Sequence, residues 1–421
     1  MKKSINHIFG KLGFLIIVSL AILSSCKDSE LETISTGTPV IKKVYLLDTI
    51  ARHKDSTFVS SIPDDKLLVI NGENLGGIIK VYFNDYEASF NTNYNTNTNL
   101  IIRLPKEAPT EATMATVPNK IRIVTSHGEV TYDFTLLPPP PNIYWIDNEN
   151  ALPGTTITLN GANFLLVQKV VFPGNIEVTD FKATKEGDKI EVKVPANLTL
   201  AGPIQVVTKF GEAKTVAPFN LNSGTAVFAN FDDKQWADWM WNIFVKNSTT
   251  DYPGARGSYA YFEKNTVTKA GDNAWWNADG RALWLTTDLR NPLFNKDSLS
   301  NRVEQYSLKF EMYVKQPWAS GSFLIKANGK NYAARFEPWR AAGKAYSTTG
   351  WVTQTIALTE FRTADGTGTS ASSISDIVGA DGNNGGAEFV FFFDNTTPKN
   401  SDIDKIAIAV DNLRIVRTTR K

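Results

Sequence analysis

Short runs in which apolar and polar residues alternate recur along most of this chain. Clear examples are residues 121–124 (Ile-Arg-Ile-Val) and residues 190–194 (Ile-Glu-Val-Lys-Val). Alternation with a period of two, bounded by Gly, Asn and Pro, is typical of half-buried β-strands, because successive side chains of a strand point to opposite faces. The pattern predicts an all-β protein.

An internal repeat organises the first half of the chain. Residues 68–75 (LVINGENL) match residues 157–164 (ITLNGANF), and nine residues after each Gly a Val-x-Phe follows. This motif resembles the TIG/IPT immunoglobulin-like family, which implies two small β-sandwiches. We expect Gly72 and Gly161 to need an unusual φ in a turn.

The Asn residues of the repeated motif, Asn74 and Asn163, are expected to hydrogen-bond to nearby backbone. Four consecutive prolines separate the two copies and favour a stiff polyproline II segment. The first Ig-like domain is therefore placed at residues 38–137, the proline linker at 138–141 and the second Ig-like domain at 142–222.

The N-terminus is predicted to be a targeting segment. A basic start precedes a mostly apolar stretch, Leu12–Leu23, that is too short to span a bilayer as a helix. Small residues followed by Cys26 resemble the lipobox of bacterial lipoproteins, which implies a signal peptide at residues 1–25 and an acylated Cys26. The alternative is an ordinary signal peptide with an incidental Cys. Residues 26–37 are then a lipidated tether.

The residues that follow Cys26, Lys27–Glu30, include two acidic side chains. This stretch resembles the surface-export signal of Bacteroidota lipoproteins. The resemblance implies a protein that is anchored in the outer membrane by lipid and faces outside.

Composition excludes several classes of protein. Because Cys26 is the only cysteine, the mature chain can form no internal disulfide and no thiolate metal cluster. A net charge of +1 gives no electrostatic case for binding nucleic acid. The last of the three His residues is His127, so a His-based triad or zinc site is not expected further along the chain.

Residues 225–421 contain nine of the ten tryptophans, and short strand-like runs without a long helical pattern predict a jelly-roll-like β-sandwich there. An indole offers a flat apolar face, so it can stack on the C–H face of a sugar ring while polar side chains bind the hydroxyl groups. The cluster therefore indicates a glycan-binding domain. The alternative is that the indoles fill a large core.

Some tryptophans are better candidates for stacking than others. Trp275 and Trp276 lie in a polar, Gly-bounded segment, as expected of a functional surface loop. Trp239 and Trp241 are two residues apart, so both indoles share a face if this segment is a strand. The predicted ligand-binding set is Trp241, Trp275, Trp276, Trp239, Trp339, Asn242, Asn277 and Arg281.

Two further tryptophans are assigned differently. Trp318 is a reserve candidate for stacking, whereas Trp351 opens a strand and is expected to be structural.

Segments of the last domain resemble the β-sandwich carbohydrate-binding modules and the C-terminal domains of Bacteroidota surface glycan-binding lipoproteins. They are Phe231–Asp233, Leu308–Val314, Gly350–Leu358 and Val410–Ile415. The resemblance implies a non-catalytic protein that captures a plant-type β-glucan, such as xyloglucan or mixed-linkage glucan. Its implied partners are a surface hydrolase, a TonB-dependent transporter and a companion glycan-binding lipoprotein.

The resembling modules often hold a structural Ca²⁺ through acidic groups near both termini, which here would be Asp232 and Asp411. The alternative is that these two carboxylates cap backbone amides.

Two other functions stay open. One is a surface glycosidase or lyase with a jelly-roll catalytic domain, and the other is an Ig-like adhesin that binds a protein partner. Glycoside hydrolysis normally needs two carboxylates across a cleft. Candidates are Glu263, Glu311, Glu337 and Glu388, but none stands in a catalytic motif. The sequence favours a binding protein over an enzyme.

Overall fold

The computed structural model describes residues 35–47, 67–232, 245–264, 269–271, 282–286, 300–327, 331–379, 388–396, 401–403 and 405–418, with backbone only at residues 264, 282–286 and 388–393. The chain divides into two compact units between Pro139 and Pro140. Over the described ranges, no helix combines the length and hydropathy that crossing a bilayer would require.

The first unit contains one small β-sandwich. Its strands are β1 (Val40–Leu46), β2 (Leu67–Glu73), β3 (Ile78–Phe83), β4 (Tyr86–Ala88), β5 (Asn99–Arg103), β6 (Lys120–Thr125) and β7 (Gly128–Asp133), with a 3₁₀ turn at Thr92–Tyr94. They form two antiparallel sheets, ordered β1-β2-β5 and β4-β3-β6-β7. Alternating apolar residues such as Ile70 and Ile123 are buried between the sheets, because each strand presents every second side chain inward.

The second unit begins with a sandwich of the same design. Its strands are β8 (Asn142–Ile146), β9 (Thr156–Ala162), β10 (Val167–Phe172), β11 (Ile176–Val178), β12 (Phe181–Ala183), β13 (Lys189–Lys193), β14 (Gln205–Thr208) and β15 (Gly211–Lys214). The sheets are ordered β12-β13-β9-β8 and β11-β10-β14-β15. Apart from β12, each strand has its counterpart in the first sandwich, so the repeated sequence motif corresponds to a repeated fold.

The two Asn residues of the repeated motif behave as predicted. Asn74 and Asn163 adopt left-handed backbone conformations, with φ of 55° and 59°. The Asn74 side-chain amide donates to the carbonyl oxygen of Thr38 at 3.1 Å, and that of Asn163 donates to the carbonyl oxygen of Pro140 at 3.2 Å. Each Asn therefore fastens its turn to the chain segment that precedes the first strand of its domain.

The prediction for the two Gly residues of the motif is wrong. Neither Gly72 nor Gly161 has a positive φ. A Cβ atom would instead lie 1.9 Å from the carbonyl oxygen of Val40 at Gly72, and 2.0 Å from that of Asn142 at Gly161. Glycine is needed at both positions because the backbone of the neighbouring edge strand passes too close for any side chain.

The C-terminal sandwich confirms the all-β prediction. Its strands are β16 (Val227–Ala229), β17 (Val245–Lys246), β18 (Tyr259–Lys264), β19 (Ala282–Thr286), β20 (Tyr306–Val314), β21 (Ser322–Ala327), β22 (Tyr332–Phe336), β23 (Val352–Ala357), β24 (Glu388–Asp394) and β25 (Ile406–Arg417). The short helices are α1 (Pro338–Ala342) and α2 (Ile374–Val378), with helical turns at Val303–Gln305, Leu358–Glu360 and Thr363–Gly366.

These strands form two sheets that enclose the largest core of the chain. One sheet is ordered β17-β18-β25-β20-β23, with β16 also paired to β25, and the other is ordered β19-β24-β21-β22. Apolar side chains from both sheets meet between them, for example Phe310 and Phe323. Rings of Phe262 and Phe323 contact edge to face across the two sheets, with centroids 5.1 Å apart.

The outer face of the six-stranded sheet is covered by the second Ig-like domain. On β20, Leu308, Phe310 and Met312 point into the core, so Lys309 and Glu311 point outward, yet the latter two are also buried. They are covered by residues 147–150, which follow β8.

An ion cluster joins the two domains at this face. Glu149 pairs with both Lys309 and Arg414, the latter at 2.9 Å, and Arg414 also makes two hydrogen bonds to Glu311 at 2.8 and 2.9 Å. Asn150 donates to Glu311 at 2.9 Å. Burial by itself lowers the pKa of Arg414, but the two carboxylates outweigh burial and raise it. The two domains are therefore held together by buried ion pairs.

Candidate functional site

The strand registers bring the connections that carry five of the nine tryptophans of the C-terminal sandwich to one end of it. We call this the tryptophan end: there β18, β20, β22 and β24 stop, and β19, β21, β23 and β25 begin. The pairs that define it are Lys264↔Ile406, Ala282↔Phe392, Val314↔Ile408 and Ser322↔Asp394. Because the strands are antiparallel, every second connection along the chain lies at the same end. The β18–β19, β20–β21, β22–β23 and β24–β25 connections therefore gather there.

Contacts between the two sheets show that their ends coincide. Ser320, just before β21, exchanges hydrogen bonds with Ser401, just before β25, both at 2.9 Å. Within the six-stranded sheet, the backbone N–H of Lys315, just after β20, donates to the carbonyl oxygen of Ala407 near the start of β25 at 2.9 Å. Both sheets therefore contribute loops to the tryptophan end.

Most of the predicted ligand-binding residues lie outside the described residues. They are Trp239, Trp241, Asn242, Trp275, Trp276, Asn277 and Arg281. The strands that flank them are described: the segment with Trp239 and Trp241 enters β17, and the segment with Trp275 and Trp276 connects β18 to β19. The second segment leaves and re-enters the fold at the tryptophan end. The first segment enters β17 at Val245, which pairs with Ala260, four residues before the end of β18, and β17 runs away from the tryptophan end.

The start of the β18–β19 connection is firmly attached. Lys269 forms an ion pair with Asp402 at 2.7 Å, and the backbone N–H of Ala270 donates to the same carboxylate at 2.9 Å. The N–H of Gly271 donates to the carbonyl oxygen of Asn395 at 2.6 Å. The ion pair with Lys269 and the hydrogen bond from Ala270 lower the pKa of Asp402. This connection is thus tied to the loop between β24 and β25.

Trp339 is the predicted stacking residue whose side chain the structure describes. It lies on α1 and is half-buried, and its indole N–H donates to the carbonyl oxygen of Gly321 at 2.9 Å. The guanidinium carbon of Arg340 lies 5.0 Å from the Trp339 ring centroid, within cation–π range. Trp339 therefore has its polar atom bound internally and offers only its apolar surface to a ligand.

A polar cluster lies beside Trp339, and of its members the sequence alone marked Glu337, as a candidate carboxylate. Arg335 forms an ion pair with Asp394 at 2.7 Å and donates to the hydroxyl of Ser322 at 3.1 Å. Glu337 accepts from the same hydroxyl and pairs with Arg340. Ser322, Arg335 and Asp394 come from three different strands, so the sheet register brings them together. No local motif marks these three residues in the sequence.

Two other tryptophans are core residues. Trp318, the reserve candidate, is 4% exposed and donates through its indole nitrogen to the carbonyl oxygen of Ser320 at 2.7 Å. Trp351 packs against Tyr252, Tyr259 and Tyr313, in agreement with its expected structural role. Neither indole is available to stack on a ligand, because each is enclosed by neighbouring side chains.

Three of the four carboxylates considered for hydrolysis are bonded within the protein. Glu311 belongs to the ion cluster, and Glu263 accepts from the Tyr252 hydroxyl at 3.0 Å and from Lys246 at 3.3 Å. Glu337 pairs with Arg340. For Glu388 only the backbone is described. The three described carboxylates act as structural ion-pair and hydrogen-bond partners.

The two carboxylates considered for calcium are occupied by protein donors. The backbone N–H of Ser258 donates to Asp232 at 2.6 Å. Asn412 donates to both oxygens of Asp411, at 2.7 and 3.1 Å. Among the described residues, no three acidic, His or Cys side chains converge as a metal site requires. These hydrogen bonds match the capping alternative, and the calcium site stays a prediction.

The fold and its arrangement of loops define a class: tandem Ig-like sandwiches followed by a β-sandwich with tryptophan-bearing segments at one end. Residues 221–417 match the family described as the surface glycan-binding protein B xyloglucan binding domain. The matched family is thus described as a binding domain.

Similar proteins agree with this assignment. An IPT/TIG domain-containing protein of Bacteroides ovatus is 34% identical over 208 residues, which cover 46% of this chain and 41% of that relative. The chain therefore spans about two fifths of the relative it matches.

The fold is shared with a solved structure, and a second one is similar over most of its length. The surface glycan-binding protein PbSGBP-B from Prevotella bryantii has a TM-score of 0.64 at 20% identity, covering 92% of this chain and all of that one. An SGBP-B from a complex xyloglucan utilization locus in Bacteroides uniformis has a TM-score of 0.49 at 18% identity, covering 90% of this chain and 99% of that one.

Proposed function

We propose that this protein captures a β-glucan chain at the tryptophan end of its C-terminal sandwich without cleaving it. One observation carries the proposal: the registers bring both ends of the connection that holds Trp275 and Trp276 to the end of the sandwich where Trp339 lies, and β17, which follows Trp239 and Trp241, runs away from that end. Indoles from two segments can then form one stacking surface, to which Trp339 adds apolar area. Asn242, Asn277 and Arg281 supply donors and acceptors for hydroxyl groups.

The proposed ligand is a plant-type β-glucan, with xyloglucan as the first choice. The support is the family match, since the matched family is described as a xyloglucan binding domain. A flat aromatic surface also suits an extended, equatorially linked chain, which presents its C–H faces in a row. Mixed-linkage glucan is the second candidate of the same chemical class.

The rest of the chain has a positioning role in this proposal. Acylated Cys26 anchors the protein in the outer membrane, facing outside, and the Ig-like domains project the glycan-binding domain from it. The captured chain then passes to a surface hydrolase and a TonB-dependent transporter, beside a companion glycan-binding lipoprotein.

The binding test is affinity electrophoresis of the mature protein in gels that contain xyloglucan, mixed-linkage glucan or an α-glucan. The Trp275→Ala/Trp276→Ala variant should lose retardation, because removing a stacking indole costs on the order of 1–3 kcal/mol. Tyr94→Ala is the matched control, since Tyr94 is an exposed aromatic of the first unit, 57% accessible. It should migrate like the wild type.

The other outcomes separate the alternatives. Shortening of the polymer during incubation would establish an enzyme, and retention by no glycan would favour the adhesin. For the anchor, Cys26→Ser should move the protein from the membrane fraction to the soluble fraction, because the acylation site is lost. A Cys26→Ser protein that stayed in the membrane would contradict lipid anchoring.

A further inference from the structure

A second candidate binding site lies in the groove between the second Ig-like domain and the C-terminal sandwich. The groove has a volume of about 600 Å³, within the usual range for small-molecule sites. Its two walls are edge strands, β8 of the Ig-like domain and β23 of the C-terminal sandwich. Both walls belong to the second compact unit.

One wall presents two exposed aromatic side chains. Tyr144 and Trp145 are 63% and 54% exposed, although both belong to β8. Consecutive residues of a regular strand would point to opposite faces, but the pairing of β8 with β9 shifts register between Ile143 and Trp145. An indole and a phenol left in solvent side by side mark a recognition surface, because large aromatic side chains are otherwise buried.

The other wall is polar and uncharged. It contains Thr353, Gln354 and Thr355 of β23, together with Tyr346. The side-chain amide of Gln354 donates to the Tyr346 hydroxyl at 3.0 Å, which fixes both groups. Three charged residues border the groove. Glu149 and Lys309 are paired with each other, and Asp147 accepts hydrogen bonds from the backbone N–H groups of Asn148 and Thr158.

This combination of an aromatic wall and a neutral wall of hydroxyl and amide groups fits an uncharged, hydroxyl-rich ligand. We propose that the groove is a second glycan-binding site, in which Trp145 stacks on a sugar ring and Thr355, which pairs with the outward-pointing Lys309, contacts its hydroxyl groups. The proposal rests on the proposed function for the class of ligand, since the protein would hold two segments of one polysaccharide.

Two features make the groove a built site rather than a cleft between loosely joined domains. The ion cluster of Glu149, Lys309, Glu311 and Arg414 fixes the two walls relative to each other. One lining residue of the groove is also fixed to a loop of the tryptophan end, because the backbone of Tyr346 pairs with that of Trp318 through hydrogen bonds of 2.8 and 2.9 Å.

The test is isothermal titration of the full mature chain with xyloglucan oligosaccharides and with the polymer. We expect two oligosaccharide sites per chain in the wild type, and one site both in Trp145→Ala and in Trp275→Ala/Trp276→Ala. Trp145→Ala should also weaken polymer binding tenfold or more, because two linked sites bind one chain with avidity. Thr355→Arg, which keeps the indole but fills the groove, should reproduce the loss.

Tyr94→Ala serves again as the exposed-aromatic control. A single wild-type site that is abolished in Trp275→Ala/Trp276→Ala and unchanged in Trp145→Ala would overturn the groove proposal and leave the proposed function intact. Binding that survives Trp275→Ala/Trp276→Ala unchanged but disappears in Trp145→Ala would support the groove and refute the tryptophan end. The same unchanged binding in all variants would refute both.

Discussion

The ion cluster at the domain junction makes a strong prediction about stability. Glu149→Gln keeps the size of the side chain but removes its charge, which takes the carboxylate partner from Lys309 and leaves Arg414 paired with Glu311. The side chains of Glu149, Lys309 and Arg414 are 6%, 7% and 0% exposed, so water cannot replace the lost partner.

The expected loss follows from the general cost of breaking a buried ion pair on one side, about 3–5 kcal/mol. For a unit of this size, a loss of 1 kcal/mol lowers the melting temperature by roughly 2–4 °C, so the second unit should melt roughly 6–20 °C lower. Calorimetry of the full chain measures this. Hydrogen exchange over residues 306–314 and 406–417 should show which strands open.

The matched control is Glu177→Gln, which breaks the Lys169–Glu177 pair on the surface of the same Ig-like domain. Glu177 is 55% exposed, so about 0–1 kcal/mol is expected. The double variant Glu149→Gln/Lys309→Met should regain part of the loss, since it also removes the unpaired charge of Lys309. Equal melting temperatures for Glu149→Gln and Glu177→Gln would refute the reasoning that burial decides the strength of these pairs.

Three further predictions concern other features. Gly161→Ala should destabilise the second unit by roughly 2 kcal/mol or more, since its Cβ would lie 2.0 Å from the Asn142 carbonyl oxygen, whereas Gly350→Ala, with open space around it, should be near neutral by calorimetry. Burial and then Glu311 raise the pKa of Asp411 well above its usual range, so the folded state holds a proton that the unfolded chain releases above about pH 4. The free energy of unfolding therefore falls as the pH rises toward the pKa that Asp411 has in the folded state. Asp411→Asn should flatten this decline, measured as the melting temperature at a series of pH values. Excess chelator should leave the melting temperature unchanged; a clear fall would establish a stabilising calcium.

Local rules were sufficient for the repeated Ig-like domains. Period-two alternation predicted half-buried strands, and the motif placed Asn74 and Asn163 in turns that hydrogen-bond to backbone. The prediction from the same motif was wrong at Gly72 and Gly161. The sequence shows that a side chain is excluded at these positions, but it does not show whether a positive φ or a nearby backbone excludes it. That distinction depends on the neighbouring edge strand, whose contacting residues, Val40 and Asn142, lie 32 and 19 residues earlier in the chain.

The candidate site was predictable only in part. The density of tryptophan indicated a glycan-binding domain, yet the structure alone separates the buried Trp318 from the half-buried Trp339. The exposed pair Tyr144 and Trp145 was not singled out, because its exposure results from a register shift between β8 and β9.

The sequence by itself determined the class of fold, the number of repeats and the residues that share each face of a strand, since these follow from local geometry. Tertiary structure decided what covers each face. Lys309 and Glu311 alternate with core residues as solvent-facing positions do, but the second Ig-like domain buries them. Alternation specifies the direction of a side chain, whereas its environment depends on which distant segment packs there.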